Sequence, residues 1–427
     1  MVPVLIGCFA ILLLAGVPIA FSIGVGALVP IMLDGRLPLE LVVSRMFGGI
    51  DSFPLMAIPF FVLSGSLASA CNLTEKIVGM ASFMVGRMRA GLAHCNIVAA
   101  MLFGGITGSA VAESAAFGSI LIPGMVSKKY PPSYAAGVTA SASVIGSIIP
   151  PSTLMIIFAY LTGTSTGRMF LGGAIPGVLV GGALMITAHI LAVRHNIGID
   201  DTARERTWRG FVQTVKECGP AFLIPAIILG GIVGGFVTPT EAGVVAVVVV
   251  LFLGHFVYGG FTLARLRTAF LEAGFTTAMV MLILATSTVF ANLLTRARFQ
   301  STLLDLLASA SGVPEVQMVL ILLALIGLGL FIDATAVLIM FAAPLAAVSA
   351  SLGYDPVHAG VCIVVACLIG GVTPPVGTLL FIAAGIAKIK ISEASRGIAP
   401  FVLALVIVNI LIMLVPPLVL FLPNLLF

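Results

Sequence analysis

Charge is the scarcest property of this sequence. Only 8% of its 427 residues are Asp, Glu, Lys or Arg, where soluble chains carry roughly 25%. A soluble globular protein is excluded. No soluble domain is visible either: the longest strongly polar run is Asn196 to Glu217. The N-terminus lacks a basic leader, and its apolar stretch, Val2 to Leu33, exceeds a signal core. It is expected to be the first membrane helix and not a cleaved signal peptide. The six cysteines (Cys8, Cys71, Cys95, Cys218, Cys362, Cys367) have no metal-ligand spacing and read as small apolar packing residues. There is no H-E-x-x-H, no D-D-x-x-D and no cluster of acids to hold catalytic metals. That argues against the main enzymatic alternative, a membrane-embedded enzyme acting on a lipid-linked acid. The five histidines form no cluster, and His94 and His189 read as packing or interfacial residues.

What remains is apolar. Sixty per cent of the residues are hydrophobic and 47 are glycine, a composition suited to closely packed membrane helices. Runs near the roughly 20 residues needed to cross a bilayer recur throughout. Spans are expected near 3–33, 51–70, 132–161, 168–194, 219–237, 239–258, 266–295, 356–387 and 400–424. Two more apolar segments, 91–127 and 313–352, are too long for one straight helix. At 1.5 Å per residue each would reach roughly 55 Å against a core of about 30 Å. Each is expected to fold back as a hairpin, the first at Gly104 to Ala110 and the second at Gly329 to Thr335.

Basic residues orient the chain. With the N-terminus on one side, that side collects Lys76, Arg87, Arg89, Lys128, Lys129, Arg194, Arg204, Arg206, Arg209, Lys216, Arg265, Arg267, Lys388, Lys390 and Arg396. The other side keeps Arg36, Arg45, Arg168, Arg296 and Arg298. The positive-inside rule makes the first side the cytoplasm and leaves the C-terminus outside. Trp208, Phe211, Val212 and Val215 fall on one helical face with Arg206, Arg209 and Lys216 around them. This predicts an interfacial amphipathic helix over 204–217. "TPTEAG", Thr238 to Gly243, reads as a capping box opened by a proline.

Two membrane segments contain adjacent prolines, in "GSIIPPSTL" (146–154) and "GGVTPPVGT" (370–378). A helix cannot run unbroken through such a pair, because each proline removes a donor and clashes with the preceding turn. The two stretches share one register. At an offset of 224 residues Tyr130 matches Tyr354, Pro132 matches Pro356, Pro150-Pro151 matches Pro374-Pro375, and Pro176 matches Pro400. Five spans separate the copies, so the second is expected to enter from the opposite face. Interrupted helices in an inverted repeat describe many secondary transporters, whose site lies near the midplane. Thr107, Gly108, Ser109 and Glu113 gather at the first hairpin turn, and Asp333 and Thr335 at the second. Acids at such depth are costly and usually functional. Arg296 and Arg298 could meet an anionic substrate or partner protein, or serve as interfacial anchors.

These motifs, "TGSAVAES" (107–114), "IGSIIPPS" (145–152), "TPTEAG" (238–243), "FIDATAV" (331–337) and "IGGVTPPVG" (369–377), resemble the large membrane subunit of TRAP transporters, the tripartite ATP-independent periplasmic family. The resemblance covers essentially the whole chain. It implies a Na+-coupled importer of organic acids, typically C4-dicarboxylates, sialic acid or other sugar acids, in a bacterial inner membrane. It also implies a small four-helix membrane subunit and a soluble periplasmic substrate-binding protein, with no nucleic acid and no cofactor beyond Na+ as coupling ion. By this resemblance one Na+ site involves Gly105, Gly108, Ser109, Gly146, Ile149 and Pro150. A second involves Asp333, Thr335, Gly370, Thr373 and Pro374. Glu113 stands where the family usually has Asp, and Gly104 where Ser is common; if a hydroxyl at 104 is a ligand elsewhere in the family, a backbone carbonyl or water must replace it here. Candidate substrate contacts are Thr107, Ser109, Glu113, Ser152, Arg296, Thr335 and Thr378.

The expected fold is an all-α polytopic membrane protein with an inverted repeat, two re-entrant helical hairpins and two discontinuous helices, in an elevator-type architecture. Scaffold helices occupy 1–90, 162–312 and 388–427. The transport domain comprises 91–161 and 313–387. A stand-alone sodium/anion symporter without a binding protein is the nearest alternative.

Overall fold

A computed structural model describes residues 2–35, 38–198 and 207–427, and among them all regular structure is helical. Arg36, Arg204 and Arg206, used above to orient the chain, lie outside the described residues. Eight helices among those described are long and apolar enough to cross a membrane.

The first expected span is corrected. Residues 3–33 form two helices, α1 (Val2–Leu14) and α2 (Ile19–Asp34). The break follows from Gly16, at φ +82°, and Pro18, which has no N–H. Val17 instead donates back to the carbonyl of Leu12. The two helices lie side by side, and a Cβ on Gly26 would come within 3.2 Å of the Phe9 backbone. Both ends of this segment therefore sit at the same end of the molecule. Next come α3 (Glu40–Ile50), a 3-10 turn at Phe53–Met56, α4 (Ala57–Ala70) and α5 (Leu73–Val85).

Both long segments divide into two helices at the expected turns. The first gives α6 (Gly91–Thr107) and α7 (Ala110–Ser127), followed by the halves of a broken helix, α8 (Pro132–Ser143) and α9 (Thr153–Thr162). Then come α10 (Thr166–Arg194), α11 (Trp208–Cys218), α12 (Leu223–Val233), α13 (Pro239–Phe256), α14 (Leu263–Arg296) and α15 (Phe299–Ala310). The second hairpin is α16 (Pro314–Gly329) with α17 (Ala334–Ser351), and its broken helix is α18 (Pro356–Val372) with α19 (Thr378–Ala387). The chain ends with α20 (Ile391–Leu414) and α21 (Pro417–Leu426).

Several boundaries moved. The amphipathic helix begins at Trp208, where Thr207 accepts the Gly210 amide at 3.1 Å. Trp208, Phe211 and Val215 are exposed on it, while Thr214 and Cys218 pack inward. Lys76 and Glu217, 3.2 Å apart, fasten it to α5. The span expected at 219–237 is shorter, a 3-10 turn and then α12. The segment 400–424 is not one span. α20 starts earlier and stops before Pro416 and Pro417, and α21 instead packs along α10. Arg168 there donates to the Asn424 side chain at 2.8 Å. The capping box forms as read, with Glu241 accepting the Thr238 amide at 2.7 Å.

The 224-residue offset carries elements onto elements. Ala110 and Ser127 bound α7, and Ala334 and Ser351 bound α17; Pro132 opens α8 and Pro356 opens α18. The two groups interlock, since α7 packs on α19 and α17 packs on α9. α8 is clamped against α20 where Gly137 faces the Gly397 backbone, and a Cβ on Gly397 would overlap the Ser133 carbonyl. Gly397→Leu is expected to destabilise the protein by roughly 1–3 kcal/mol through overpacking. A thermal melt in detergent checks this, and an unchanged midpoint would contradict the close crossing.

Candidate functional site

The double prolines set the local chemistry. In a helix each N–H serves the carbonyl four residues back. Pro150 and Pro151 have none to give Gly146 and Ser147, and Pro374 and Pro375 have none for Gly370 and Gly371. Both Pro–Pro bonds are cis. α9 and α19 restart just beyond, so each break exposes carbonyls on one side and a helix N-terminus on the other.

The first hairpin tip is stitched onto the first break. Gly108 turns the chain at φ +61°, and a Cβ there would overlap the Pro151 carbonyl oxygen. Ser109 caps α7 by accepting from the Ala112 amide at 3.4 Å. Ser147 in the break accepts from the Ala110 amide at 2.9 Å. The Thr153 hydroxyl donates to the Gly108 carbonyl at 3.1 Å, and Ser152 donates to the Ser147 carbonyl at 2.6 Å. Gly104 and Gly146 cross so closely that a Cβ on Gly104 would lie 2.8 Å from the Gly146 Cα. Gly105 packs on Pro225 of α12, and Ile149 fills the space beside Gly177.

Glu113 is enclosed completely. Its Oε1 accepts from the Thr107 hydroxyl at 3.0 Å, and its carboxyl lies against Gly146, where a Cβ would overlap it. Oε2 has no hydrogen-bond partner in the protein.

The second tip and break repeat the arrangement with different chemistry. Asp333 caps α17, its Oδ1 accepting from the Thr335 amide at 2.9 Å. Its Oδ2 accepts from the Thr378 hydroxyl across the break at 3.4 Å. The Val376 amide donates to the Leu330 carbonyl at 3.1 Å. Thr373 turns back to the Ile369 carbonyl at 2.6 Å. Gly329 crosses Gly370, with a hypothetical Cβ 2.5 Å from the Gly370 Cα. Pro374 and Thr335 are half-buried. The two halves meet at α19: Thr378 reaches Asp333, and the next carbonyl, Leu379, accepts from Ser114 at 3.4 Å.

Four helices, α7, α9, α17 and α19, thus begin within one layer, two of them capped by Ser109 and Ser152 and one by Asp333. The donor set is carbonyls, hydroxyls and the carboxyl groups of Glu113 and Asp333, all oxygen, as a hard cation requires. The helix starts supply amides and positive dipole ends for an anion. Nearly all the expected site residues lie in this layer. Arg296 does not: it sits at the exposed end of α14 and its Nε donates to Asn292 at 3.1 Å. Ser147 and Thr153 were missed, although Ser147 lies inside the quoted "GSIIPPSTL"; nothing local showed which tip would meet it.

The family described as "Tripartite ATP-independent periplasmic transporter, DctM component" matches residues 6–418. The chain belongs to that family. It is 37% identical over 414 residues to the sialic acid TRAP transporter large permease protein SiaM of Vibrio cholerae, covering 97% of this chain and 96% of that one. It is 36% identical over 419 residues to the isethionate TRAP transporter permease protein DctMQ of Oleidesulfovibrio alaskensis, covering 98% of this chain but 66% of that longer protein. Among solved structures, the YdaH transporter of Alcanivorax borkumensis shares the fold at a TM-score of 0.64 and 14% identity, over 88% of each chain. These matches make the chain a multi-pass transporter permease and not an enzyme, as its motifs implied.

Thr107→Val is expected to leave Glu113 Oε1 without its donor and cost roughly 1–3 kcal/mol. Thr107→Ser should retain stability. Equal melting of all three proteins in detergent would contradict the buried pair.

Proposed function

We propose that this chain is the transport subunit of a Na+-coupled importer of small organic acids in a bacterial inner membrane. The observation that carries the reading is the oxygen-lined layer where two hairpin tips meet two helix breaks. Family membership and the acids named for the relatives, sialic acid and isethionate, support it. A carboxylate moved alone into low dielectric is prohibitively costly. Na+ held beside it by carbonyls and Asp333 offsets that cost, while amides at the helix starts and the hydroxyls of Ser109, Ser152, Thr335 and Thr378 hold the acid. Two Na+ with a dianion are electroneutral, and any further Na+ gains roughly 2.3 kcal/mol per charge per 100 mV.

The tips meet breaks that divide helices of full membrane length, which supports re-entrant hairpins ending near the midplane. The interlocked group α6–α9 with α16–α19 then moves as one body against the other helices. Cations bind first, then substrate, and sliding follows. A small four-helix subunit and a periplasmic binding protein complete the system. Basic residues keep the α10–α11 region cytoplasmic and the C-terminus outside. The pairing of α1 with α2 supports an N-terminus outside as well, opposite to the cytoplasmic side expected from a single first span.

In proteoliposomes with the small subunit and the binding protein, Asp333→Ala is expected to reduce Na+-driven uptake to background while the protein stays folded. Normal uptake by this variant would sink the assignment of Asp333.

A further inference from the structure

A cavity of about 450 Å³ lies away from the tips, where α14, α15 and α17 come together. One wall is polar, formed by Thr295, Arg298, Gln300 and Ser301. The other is apolar and comes largely from α17, with Ala343, Pro344 and Ala347 facing Leu304 of α15. Pro344 has no N–H for the Met340 carbonyl one turn back. Arg298 is exposed, and among the described residues no carboxylate pairs with it. The neighbouring Arg296 is held by Asn292. The cavity therefore offers one free cation beside small apolar residues, at the end of a membrane-length helix.

We propose that this cavity binds a phospholipid, its phosphate on Arg298 and the start of an acyl chain along Ala343, Pro344 and Ala347. A small dicarboxylate fits poorly, because it would need a second cation and would leave the α17 wall unmatched. A lipid matches both walls, and an anionic headgroup suits the unpaired guanidinium best. The cavity bridges α14 and α15 to α17. On the sliding-domain reading proposed above, an occupant here pins the moving group to its surroundings, so lipid composition would tune the transport rate.

The test is native mass spectrometry of the purified chain with added palmitoyl-oleoyl phosphatidylglycerol, the matching phosphatidylcholine, or inorganic phosphate. It reads binding without transport, so it stands or falls separately from the sliding reading. The wild type is expected to retain one phosphatidylglycerol in preference to phosphatidylcholine. Arg298→Gln, a surface change that should not disturb folding, is expected to weaken retention about tenfold, roughly the loss of one charge-assisted bond. Ala347→Phe should do the same by filling the apolar wall, and Arg298→Lys should restore part of the binding. Unchanged retention in Arg298→Gln would overturn the proposal. So would loss of the bound phosphatidylglycerol on adding inorganic phosphate, since that would mark a site for free anions.

Discussion

A backbone inside a bilayer has no water to satisfy its N–H and C=O groups, and each one left bare costs several kcal/mol. A membrane chain therefore breaks a helix only where something else takes the freed groups. Here the prolines at 150–151 and 374–375 break two helices, and each break is covered by the tip of a hairpin. Part of the demand is met inside the protein. Ser147, Ser152 and Thr153 tie the first break to the Gly108 turn, and Asp333 and Thr378 tie the second. On the proposed reading, the carbonyls that remain are the groups that would hold cations.

Glycine makes the covering possible. At Gly104 with Gly146, and again at Gly329 with Gly370, the backbones approach too closely for any side chain. Those crossings bring each tip within hydrogen-bonding reach of its break. The same logic fixes the rim of the group, where Gly137 and Gly397 allow α8 to press on α20. The two copies nonetheless differ in chemistry. Glu113 is sealed inside the first half with one oxygen unpartnered, while Asp333 is half-buried and shared between a helix cap and a hydroxyl.

The positions of the helix breaks were legible because they follow from single-residue chemistry and length. Proline lacks a donor, and residues 91–127 cannot fit a membrane as one straight helix. The offset of 224 carries the bounds of α7 onto those of α17. The ends of the chain were not read correctly. Gly16 and Pro18 lie in a run that is strongly apolar on both sides, so composition reads as one helix where there are two. Pro416-Pro417 carried the same warning near the C-terminus. The charge of Arg296 suits a substrate contact or an interfacial anchor equally, and its exposed position at the end of α14 fits the anchor. Ser147 shows the reverse limit, because its partner is supplied by a turn 39 residues away.

Everything in the proposed transport cycle depends on Na+ sites at the two breaks. The direct measurement is a melting series of the purified chain in Na+, with K+ or choline holding ionic strength constant. Specific binding to the folded state adds RT ln(1 + [Na+]/Kd), roughly 1.4 kcal/mol at a tenfold excess over Kd. A melting temperature that rises with Na+ alone, and no longer does so in Asp333→Ala, is the expected result. Identical curves in Na+ and K+ at every concentration would contradict cation sites formed by this chain.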